Sequence, residues 1–463
     1  MSYTFDPTIL REYDIRGQIG KNLSEKDAYA LGRAFATFVS GEANTATPTI
    51  CVGYDGRNSS PALSSSLIKG LRDSGANVVA VGLGPTPMLY FSVKHLSADA
   101  GVMVTGSHNP PDYNGFKMGL NKSPVFGETI QKIGKISESG TLNTGNGSLT
   151  EKDIKNEYVN RLMQDLGPLR DLSIAWDAGN GAAGEILQML TAKIPGEHHL
   201  IFEDIDGNFP NHHPDPTVDE NLVDLQKLVA DHKCDLGIAF DGDGDRIGVV
   251  DENGDVLRCD ILMTIYAREV IKNNPGAAII GDVKCSSVMF DEINKMGGKG
   301  IMWKTGHSLI KDKMRELNAP LAGELSGHIF FADKYYGFDD ALYCSVRLLN
   351  ELSKNDGGLS SLTAHLPKLF NTPEVRFEVD EAEKFNLVPR VLESLKAQAN
   401  EDSALDDIDG VRVTTSDGWW LLRPSNTQDV LVARVEASSI EGLDRLKKMA
   451  SDEVKKLGYS IEF

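Results

Sequence analysis

The chain has 463 residues, too many for a single hydrophobic core, so its length predicts about three or four domains. Hydrophobic residues make up 41% of the sequence and charged residues 25%, as in ordinary globular proteins. The formal net charge of −20 argues against a nucleic-acid-binding surface, because contacts with a phosphate backbone need clustered Lys and Arg. A small phosphorylated substrate stays compatible with this charge, since a few cations focused in a cleft can bind it.

The sequence also bears on location and redox state. Its first residues lack a basic region followed by an apolar run, and no apolar stretch reaches the ~18 residues of a membrane span. The cysteines are odd in number, scattered and mostly within apolar segments: Cys51, Cys234, Cys259, Cys285 and Cys344. We therefore expect a cytoplasmic protein with no membrane attachment, whose thiols are free and buried.

The first three quarters of the chain alternate strand-like apolar runs with amphipathic helical stretches, which is typical of an α/β fold. A weak repeat is visible, in which an apolar strand ends in Asp before a small polar turn: Asp55, Asp177 and Asp282. Later in each repeat another apolar strand runs into a polar loop, at residues 105–110, 241–246 and 323–328. Since α/β sheets bind ligands at strand ends, three related domains would place these loops around one cleft.

The pattern changes after about residue 370. Alternation predicts a strand over 375–379, a helix over 383–398, three short strands around 417–418 and 423–427, and a Lys-rich helix over 440–457. These elements predict a small α+β domain with a sheet covered on one face. A linker is expected at the Gly-, Asn- and Thr-rich stretch 140–150. The predicted domains are 1–150, 151–255, 256–369 and 370–463.

Three carboxylates alternate with glycines in the second loop, at Asp241, Asp243 and Asp245. Oxygen ligands in this arrangement suit Mg²⁺ or Ca²⁺. A calcium-binding helix-loop-helix would need glycine at its sixth position, where this chain has Arg246, and the flanking segments are strand-like. We therefore predict a metal loop at a strand end. Three carboxylates leave Mg²⁺ short of ligands, and a phosphate oxygen from another loop could complete the set.

Ser107 occupies the corresponding position in the first loop, and Lys117 follows ten residues later. A serine in a turn is ordinarily a capping or turn residue. A hydrolase nucleophile elbow would need glycine where this chain has Asn109, so that alternative is excluded.

Four motifs together resemble one family. They are Thr-Gly-Ser-His-Asn-Pro at 105–110, Asp-Gly-Asp-Gly-Asp-Arg at 241–246, Gly-Glu-Leu-Ser-Gly-His at 323–328 and Arg-Pro-Ser-Asn-Thr at 423–427. In this order they resemble the α-D-phosphohexomutase superfamily, specifically its bacterial phosphomannomutase/phosphoglucomutase branch, over nearly the whole chain. The resemblance implies an α/β fold of three related mixed α/β domains plus a C-terminal α+β domain around a central active-site cleft.

The resemblance also implies an activity. It is the reversible transfer of phosphate between the 1 and 6 positions of mannose or glucose phosphate, through a phosphoserine enzyme and a hexose 1,6-bisphosphate that serves as intermediate and activator. The implied cofactor is Mg²⁺ and the only implied partners are hexose phosphates; we expect a monomer. Two alternatives stay open at this point. A phosphomonoester hydrolase would release phosphate instead of isomerising the sugar, and a sugar-phosphate sensor would show no turnover.

The family's roles transfer to matching positions of this sequence. By resemblance, Ser107 carries the phosphoryl group, and Asp241, Asp243 and Asp245 bind Mg²⁺ with one phosphoserine oxygen. The other residues implied near the transferred phosphate are Arg246, Lys117 and His108. One of these groups or His307 moves protons on and off the sugar hydroxyls, and the sequence does not choose among them.

The resemblance further implies a set of substrate-binding residues: Tyr13, Arg16, Lys284, His307, Glu324, Ser326, His328, Arg423, Ser425, Asn426 and Thr427. In the family the glutamate and serine of the third motif contact hydroxyls O3 and O4 of the sugar. The apolar Leu325 between them favours glucose and mannose phosphates over glucosamine phosphate. The fourth motif implies a site for the phosphate that is not transferred. There the chain departs from the family, because Asp429 stands close to where the family commonly has proline.

Overall fold

The structure is a computed structural model that describes residues 2–380, 383–397, 403–425 and 430–463. Four β-sheets follow one another along the chain, and each forms the centre of one structural unit. Within these described ranges no helix combines the length and the apolar character that crossing a membrane requires.

Unit 1 contains a six-stranded sheet in the order β1-β5-β4-β2-β3-β6. Its strands are β1 (Ile15–Gln18), β2 (Thr49–Tyr54), β3 (Asn77–Leu83), β4 (Ala100–Val104), β5 (Tyr113–Leu120) and β6 (Leu149–Glu151). Its helices are a 3₁₀ turn (Pro7–Ile9), α1 (Glu25–Glu42), α2 (Ser60–Asp73), α3 (Thr86–His95) and α4 (Glu128–Ser139). The short β6 pairs in parallel with β3, so the stretch 140–150, predicted as a linker, ends inside the sheet instead of leaving it.

Unit 2 contains a five-stranded sheet in the order β11-β10-β9-β7-β8. Its strands are β7 (Ser173–Asp177), β8 (Glu197–Ile201), β9 (Leu236–Phe240), β10 (Ile247–Asp251) and β11 (Val256–Leu257). Its helices are α5 (Lys155–Met163), α6 (Gly184–Thr191), a 3₁₀ turn (Asp219–Leu222) and α7 (Val223–His232). The aspartate loop therefore joins two strands, which agrees with the exclusion of a helix-loop-helix.

Unit 3 contains a four-stranded sheet in the order β13-β12-β14-β15. Its strands are β12 (Ala278–Asp282), β13 (Lys299–Trp303), β14 (Leu321–Gly323) and β15 (Ile329–Phe331). Its helices are α8 (Cys259–Asn273), α9 (Ser287–Lys295), α10 (His307–Leu317), α11 (Ala341–Ser353) and a 3₁₀ turn (Leu359–Leu362).

Units 1 to 3 share one strand pattern. Three adjacent parallel strands are followed by an antiparallel one, in the orders β3-β2-β4-β5, β8-β7-β9-β10 and β13-β12-β14-β15. The loop before the antiparallel strand is in each case the polar loop predicted from the sequence. The aspartates after the first strand also act alike: Asp55, Asp177 and Asp282 each accept the backbone N–H two residues on, at 2.8–3.2 Å. The predicted repeat is present, and its loops lie at equivalent strand ends.

Unit 4 is a wholly antiparallel sheet in the order β16-β21-β20-β19-β18, with β17 also paired to β21. Its strands are β16 (Phe370–Asn371), β17 (Val375–Glu378), β18 (Ser403–Asp406), β19 (Val411–Thr415), β20 (Gly418–Pro424) and β21 (Val430–Ala437). Its helices are α12 (Lys384–Ala397) and α13 (Ile440–Lys456). The sequence predicted fewer strands, because β16 and β18 are short and lie at sheet edges.

The buried apolar side chains form several separate clusters of unequal size. The largest cluster crosses the first three units and includes Met103, Trp176 and Leu321. Unit 4 has a separate cluster between its helices and one face of its sheet. The opposite face rests on unit 3, where Trp419 packs near Val283. All five cysteines are free and buried, as predicted.

Candidate active site

Ser107 lies in the loop between β4 and β5 and is buried. Its φ of 51° is in the left-handed region, which non-glycine residues adopt only at some cost in energy. The Ser107 N–H donates to Thr105 Oγ1 at 2.8 Å. Its Oγ lies 3.2 Å from Asp241 Oδ2 and 3.2 Å from His108 Nδ1. The serine hydroxyl therefore points at the aspartate loop of unit 2.

The buried guanidinium of Arg57 holds the backbone of this loop in place. It donates at 2.5–3.0 Å to four carbonyl oxygens, those of Ser107, Asn109, Pro110 and Tyr113. The Asp55 carboxylate accepts from Arg57 Nε at 3.2 Å and from the N–H of Gly106 at 3.1 Å. Burial lowers the pKa of Arg57, and the Asp55 charge opposes that effect. A buried, fully engaged guanidinium thus compensates the unfavourable backbone angle at Ser107.

The carboxylates of Asp241, Asp243 and Asp245 are buried, and one oxygen of each lies within 4.8 Å of one oxygen of the others. Asp241 Oδ1 accepts hydrogen bonds from the backbone N–H groups of Asp245 and Arg246 at 3.0 and 3.1 Å. These bonds close the loop into a tight turn around the side chain of its first residue. The Oδ1 atoms of Asp243 and Asp245 are buried and accept no hydrogen bond from the described residues. Converging carboxylate oxygens without donors are the ligands that a hard divalent cation such as Mg²⁺ prefers.

Lys117, on β5, reaches across to this loop. Its Nζ lies 2.8 Å from Asp243 Oδ2 and also contacts Asp245 Oδ2. Burial alone would lower the pKa of Lys117, but the two carboxylates raise it well above its usual value. Burial, followed by repulsion from Asp243 and Asp245, raises the pKa of Asp241. One ammonium therefore does not neutralise the cluster, and a divalent cation would restore the charge of Asp241.

The loop of unit 3 is joined to the aspartate loop by side chains. Glu324 Oε1 accepts the N–H of Gly306 at 2.6 Å, and burial raises the pKa of this glutamate. Arg246 Nε donates to His328 Nε2 at 3.0 Å, while His328 Nδ1 lies 3.0 Å from Asp339 Oδ2. Because Nε2 accepts the hydrogen bond from Arg246 Nε, Nδ1 is the ring nitrogen that carries the hydrogen, facing Asp339.

Two candidate residues of unit 1 line the same cleft. The Tyr13 hydroxyl donates to the carbonyl oxygen of Thr305 at 2.8 Å, and its ring lies 5.8 Å from that of His307, edge to face. Arg16 Nη1 donates to Asn109 Oδ1 at 2.6 Å, within the serine loop.

The histidines are candidates for moving protons. Burial lowers the pKa of His108 well below its usual value, and the charge of Arg246 lowers it further. Burial also lowers the pKa of His307, and Lys311 adds to that effect. Both imidazoles are consequently neutral near pH 7 and able to accept a proton. The choice among the candidate acids and bases stays open.

Two cations face the cleft where units 3 and 4 meet. Lys284 Nζ donates to Glu374 Oε2 at 2.8 Å. Arg423 Nε donates to Asp409 Oδ2 at 2.9 Å, and the same oxygen accepts the N–H of Thr305 at 3.0 Å. Both cations are thus paired with carboxylates of unit 4 that an incoming phosphate would have to replace.

The other predicted substrate residues are only partly described. Ser326 is half-buried beside Glu324, and Ser425 is buried with its N–H donating to Val430 O at 3.0 Å. Asn426 and Thr427, like Asp429, lie outside the described residues. Their predicted roles therefore stay predictions.

Four models of one family match the chain in order. Phosphoglucomutase/phosphomannomutase alpha/beta/alpha domain I matches residues 7–144, domain II matches 156–254, domain III matches 258–370 and the C-terminal domain matches 374–453. The chain belongs to the phosphoglucomutase/phosphomannomutase family.

Relatives of similar length support this family assignment. A phosphomannomutase/phosphoglucomutase of Pseudomonas syringae pv. tomato is 44% identical over 456 residues, which cover 98% of this chain and 97% of the relative. A phosphoglucomutase of Neisseria gonorrhoeae is 42% identical, covering 95% of each chain. The crystal structure of a phosphoglucomutase/phosphomannomutase family protein from Burkholderia thailandensis is 41% identical, with a TM-score of 0.92 over 99% of this chain and 100% of that one.

Sequence reasoning missed several residues of this family member's cleft. They are Asp55, Arg57, Asp339, Glu374 and Asp409. A signal existed for Arg57, which follows a strand-terminal Asp of the repeat in the turn that faces the serine loop. No local pattern marks Asp409 or Glu374, because each acts only through a partner in distant sequence.

Proposed function

We propose that this chain is a phosphohexomutase, an isomerase that transfers phosphate reversibly between the 1 and 6 positions of glucose and mannose phosphates. The observation that carries the proposal is the approach of Ser107 Oγ to the aspartate loop, 3.2 Å from Asp241 Oδ2. A serine beside converging, partly unpaired carboxylates suits a phosphoserine whose charge a shared metal ion neutralises. The names of the relatives support the same activity.

Asp241, Asp243 and Asp245 would hold Mg²⁺ together with one oxygen of phospho-Ser107. When bound, Mg²⁺ supplies charge neutralisation on the oxygens of the phosphoryl group that is transferred. Lys117, which bonds both Asp243 and Asp245, adds a fixed positive charge at the same place. Arg246 Nε lies 4.0 Å from Asp241 Oδ2, and the Arg246 guanidinium adds a second positive charge.

The reaction would proceed in two transfers. Phospho-Ser107 gives its phosphoryl group to the free hydroxyl of hexose 1-phosphate, whose proton passes to a base, and hexose 1,6-bisphosphate forms. After the bisphosphate turns over in the cleft, Ser107 Oγ takes the other phosphoryl group and hexose 6-phosphate remains. The neutral His108 and His307 are candidates for the base, whereas Lys117 and Arg246, whose pKa values are raised by nearby carboxylates, stay cationic.

The sugar and its second phosphate would lie against units 3 and 4. Glu324 and Ser326 contact hydroxyls that glucose and mannose share, so both sugars fit. His328, Lys284 and His307 orient the sugar from unit 3, and Tyr13 and Arg16 from unit 1. The residues proposed for the phosphate that is not transferred are Arg423, Ser425, Asn426 and Thr427.

The proposal also covers the domain boundaries, the activator, the oligomeric state and the location. We place the domain boundaries at 1–150, 151–255, 256–369 and 370–463. Each domain contains the central strands of one sheet, while the edge strand β6 ends one residue past the first boundary and the edge strand β11 lies just past the second. The hexose 1,6-bisphosphate acts as activator by phosphorylating Ser107. The monomeric state and the cytoplasmic location stay predictions.

Ser107→Ala tests the proposal. Intact-mass measurement of the wild type should show a phosphorylated fraction, about 80 Da heavier, since phosphorylation adds one covalent group. Ser107→Ala should lack this species and lose nearly all mutase turnover. Ser65→Ala is the matched control, because Ser65 is exposed on α2 and its hydroxyl bonds the carbonyl of its own helix. Full activity in Ser107→Ala would overturn the proposal.

An assay that follows both sugar and phosphate separates the alternatives. With glucose 1-phosphate or mannose 1-phosphate and a trace of the bisphosphate, a mutase forms the 6-phosphate without releasing inorganic phosphate. Stoichiometric phosphate release would identify a hydrolase, and no turnover with any hexose phosphate would leave only a sensor.

A further inference from the structure

A cavity of about 470 Å³ lies between unit 1 and unit 3, beside the cleft. Helix α3 and the end of β5 form its unit 1 wall, and α10 with the segment 332–338 forms its unit 3 wall. None of the loops that carry Ser107, the metal aspartates, Glu324 or Arg423 lines it. The cavity therefore adjoins the proposed sugar-phosphate site and shares Tyr13, Lys117 and His307 with it.

The charge of the cavity is opposite to that of the chain. Lysines and arginines number 47 in the whole sequence against 67 acidic residues. The cavity reverses this excess, since Asp333 is its single lining carboxylate and bonds Arg347 at 2.8 Å. Five cations line it: Lys94, Lys117, Lys122, Lys311 and Arg315. A small space with this balance attracts anions.

Lys94 and Lys122 pair with no carboxylate of the described residues, whereas Lys117, Lys311 and Arg315 are each paired with at least one. Lys94 is half-buried, and its Nζ lies 3.2 Å from Asn121 Oδ1 and also contacts the Asn121 carbonyl oxygen. Burial lowers the pKa of Lys94, and the charge of Arg315 lowers it further. Within the described ranges no carboxylate comes within 4.0 Å of the Nζ of Lys94 or Lys122. Arg315 donates to the Lys122 carbonyl at 2.7 Å and pairs with Asp312.

The remaining wall is apolar and aromatic. Tyr336 and Phe338 stack with ring centroids 5.6 Å apart and an interplanar angle of 10°. Tyr90 lies 5.6 Å from Phe338 on the other side of this wall. Tyr336 lines the cavity and is 39% exposed, while the guanidinium of Arg161 lies 5.2 Å from its ring centroid. A wall of aromatic side chains favours a planar aromatic partner.

We propose that the cavity binds a phosphate ester of an aromatic or heteroaromatic alcohol, of the size of a nucleoside monophosphate. The phosphate dianion would lie among Lys94, Lys122 and Arg315, where it relieves the repulsion between them. The planar group would lie against Tyr336 and Phe338. A volume of about 470 Å³ is within the range of pockets that enclose small ligands.

Binding at this site would lower turnover, a consequence that rests on the proposed function. Lys117, His307 and Tyr13 form the inner end of the cavity and also face the cleft. Lys117 bonds two aspartates of the metal loop, so a ligand that fills the cavity as far as its inner end would disturb these bonds. The ligand is therefore an inhibitor that bridges units 1 and 3.

Calorimetric titration of the full chain in Mg²⁺ tests the proposal, with adenosine monophosphate, phenyl phosphate and inorganic phosphate as separate probes. Adenosine monophosphate should bind saturably and at least about tenfold more tightly than inorganic phosphate, one tenfold step being the effect of a single good contact. Tight binding of phenyl phosphate as well would mean that any aromatic ester suffices. The absence of saturable binding by all three probes overturns the proposal.

The double variant Lys122→Ala/Arg315→Ala locates the bound probe. Both residues are exposed and lie outside the proposed catalytic machinery, so kcat and KM without probe should be unchanged, while probe affinity falls at least about tenfold. Lys132→Ala/Lys299→Ala removes the same charge from exposed positions away from the cavity and is the control. Affinity that survives the first double variant and is lost in Arg423→Ala would place the probe in the sugar-phosphate site and overturn the proposal.

Tyr336→Leu separates the aromatic contact from the charge. It should weaken adenosine monophosphate binding and leave the affinity for inorganic phosphate unchanged. Equal losses for both probes would contradict the proposed role of the ring. Mutase activity without probe reports on the proposed function independently of all these affinities.

Discussion

The two sides of the cleft are held in different ways. On the side of units 1 and 2, the backbone around Ser107 is fastened by one buried guanidinium that donates to four carbonyl oxygens. On the side of unit 4, the guanidinium of Arg423 is held by a single carboxylate, that of Asp409. The first set of contacts leaves the serine hydroxyl available, whereas the second occupies the very group that is proposed to bind phosphate.

This difference suggests that the two sides of the cleft have different roles in the reaction. A group that takes part in phosphoryl transfer has to be fixed before the substrate arrives, because misplacement by ~1 Å is costly to the rate. A group that binds the far phosphate has to accept either end of the sugar, so a replaceable partner suits it. Substitutions on the first side should therefore lower kcat, and those on the second should change KM.

The largest effect is expected from Asp243→Asn. The substitution keeps the size of the side chain and removes the charge that Mg²⁺ and Lys117 share. We expect kcat to fall at least about 100-fold, equal to about 2.7 kcal/mol, with a much weaker dependence on Mg²⁺. Asp231→Asn, on the exposed face of α7, is the control and should be silent. An unchanged magnesium titration would show that the loop binds no metal.

A smaller effect is expected from Arg57→Lys. An ammonium keeps the charge but cannot reach four carbonyl oxygens at once, so the loop around Ser107 should lose its fixed position. We expect kcat to fall between about 10- and 100-fold, with KM changed less than about twofold.

Low concentrations of guanidinium chloride distinguish positioning from general stability. They should restore part of the kcat of Arg57→Ala, because free guanidinium fits the vacated space, and should not help Ser107→Ala. If Arg57→Lys lowers the thermal midpoint yet leaves the kcat of the folded enzyme intact, the guanidinium serves stability alone.

The smallest effects concern the unit 4 side, where two substitutions should act in opposite directions. Arg423→Ala should raise the KM for hexose phosphate about tenfold, since charge-assisted bonds to a dianion are strong. Asp409→Asn should lower this KM by about threefold, because a neutral amide oxygen that still accepts from Thr305 holds the Arg423 guanidinium less tightly than the carboxylate does. Phosphorylation of Ser107 should be unchanged in both variants. Equal changes of KM in the same direction in both variants would mean that the Arg423–Asp409 pair has only a structural role.

The sequence predicted the parts of the molecule that depend on short segments. Strands β2, β7 and β12 are buried apolar runs that end at or just before an Asp, so their repeat was visible and the positions of their ends were predicted within one residue. The loops that carry Ser107 and the metal aspartates could be located because each follows such a strand directly. Both ends of α13 and the start of α12 were predicted within about one residue from their apolar periodicity, while residue 398, the predicted end of α12, lies outside the described residues.

Partners that are distant in sequence could not be predicted in this way. Arg57 and the carbonyls it binds are separated by 50 to 56 positions, and Arg423 lies 14 positions from Asp409 on a different element. Short edge strands such as β6 carry too few residues for a periodic pattern, and β6 is exposed throughout. These distant contacts and short edge strands become visible only in the folded structure.

The separate apolar cluster of unit 4 has a consequence for how the protein melts. The largest cluster contains side chains of units 1 to 3, although unit 1 also has a separate cluster, so disrupting any of these units exposes part of the shared interior. Unit 4 meets unit 3 through Trp419, Leu421 and backbone-directed bonds such as Arg412 Nη1 to Val283 O at 2.7 Å. Contacts of this kind couple unfolding less strongly than a shared core does. The C-terminal quarter is thus a cooperative block of its own, whose amide hydrogens exchange through openings that leave the remaining three quarters of the chain folded.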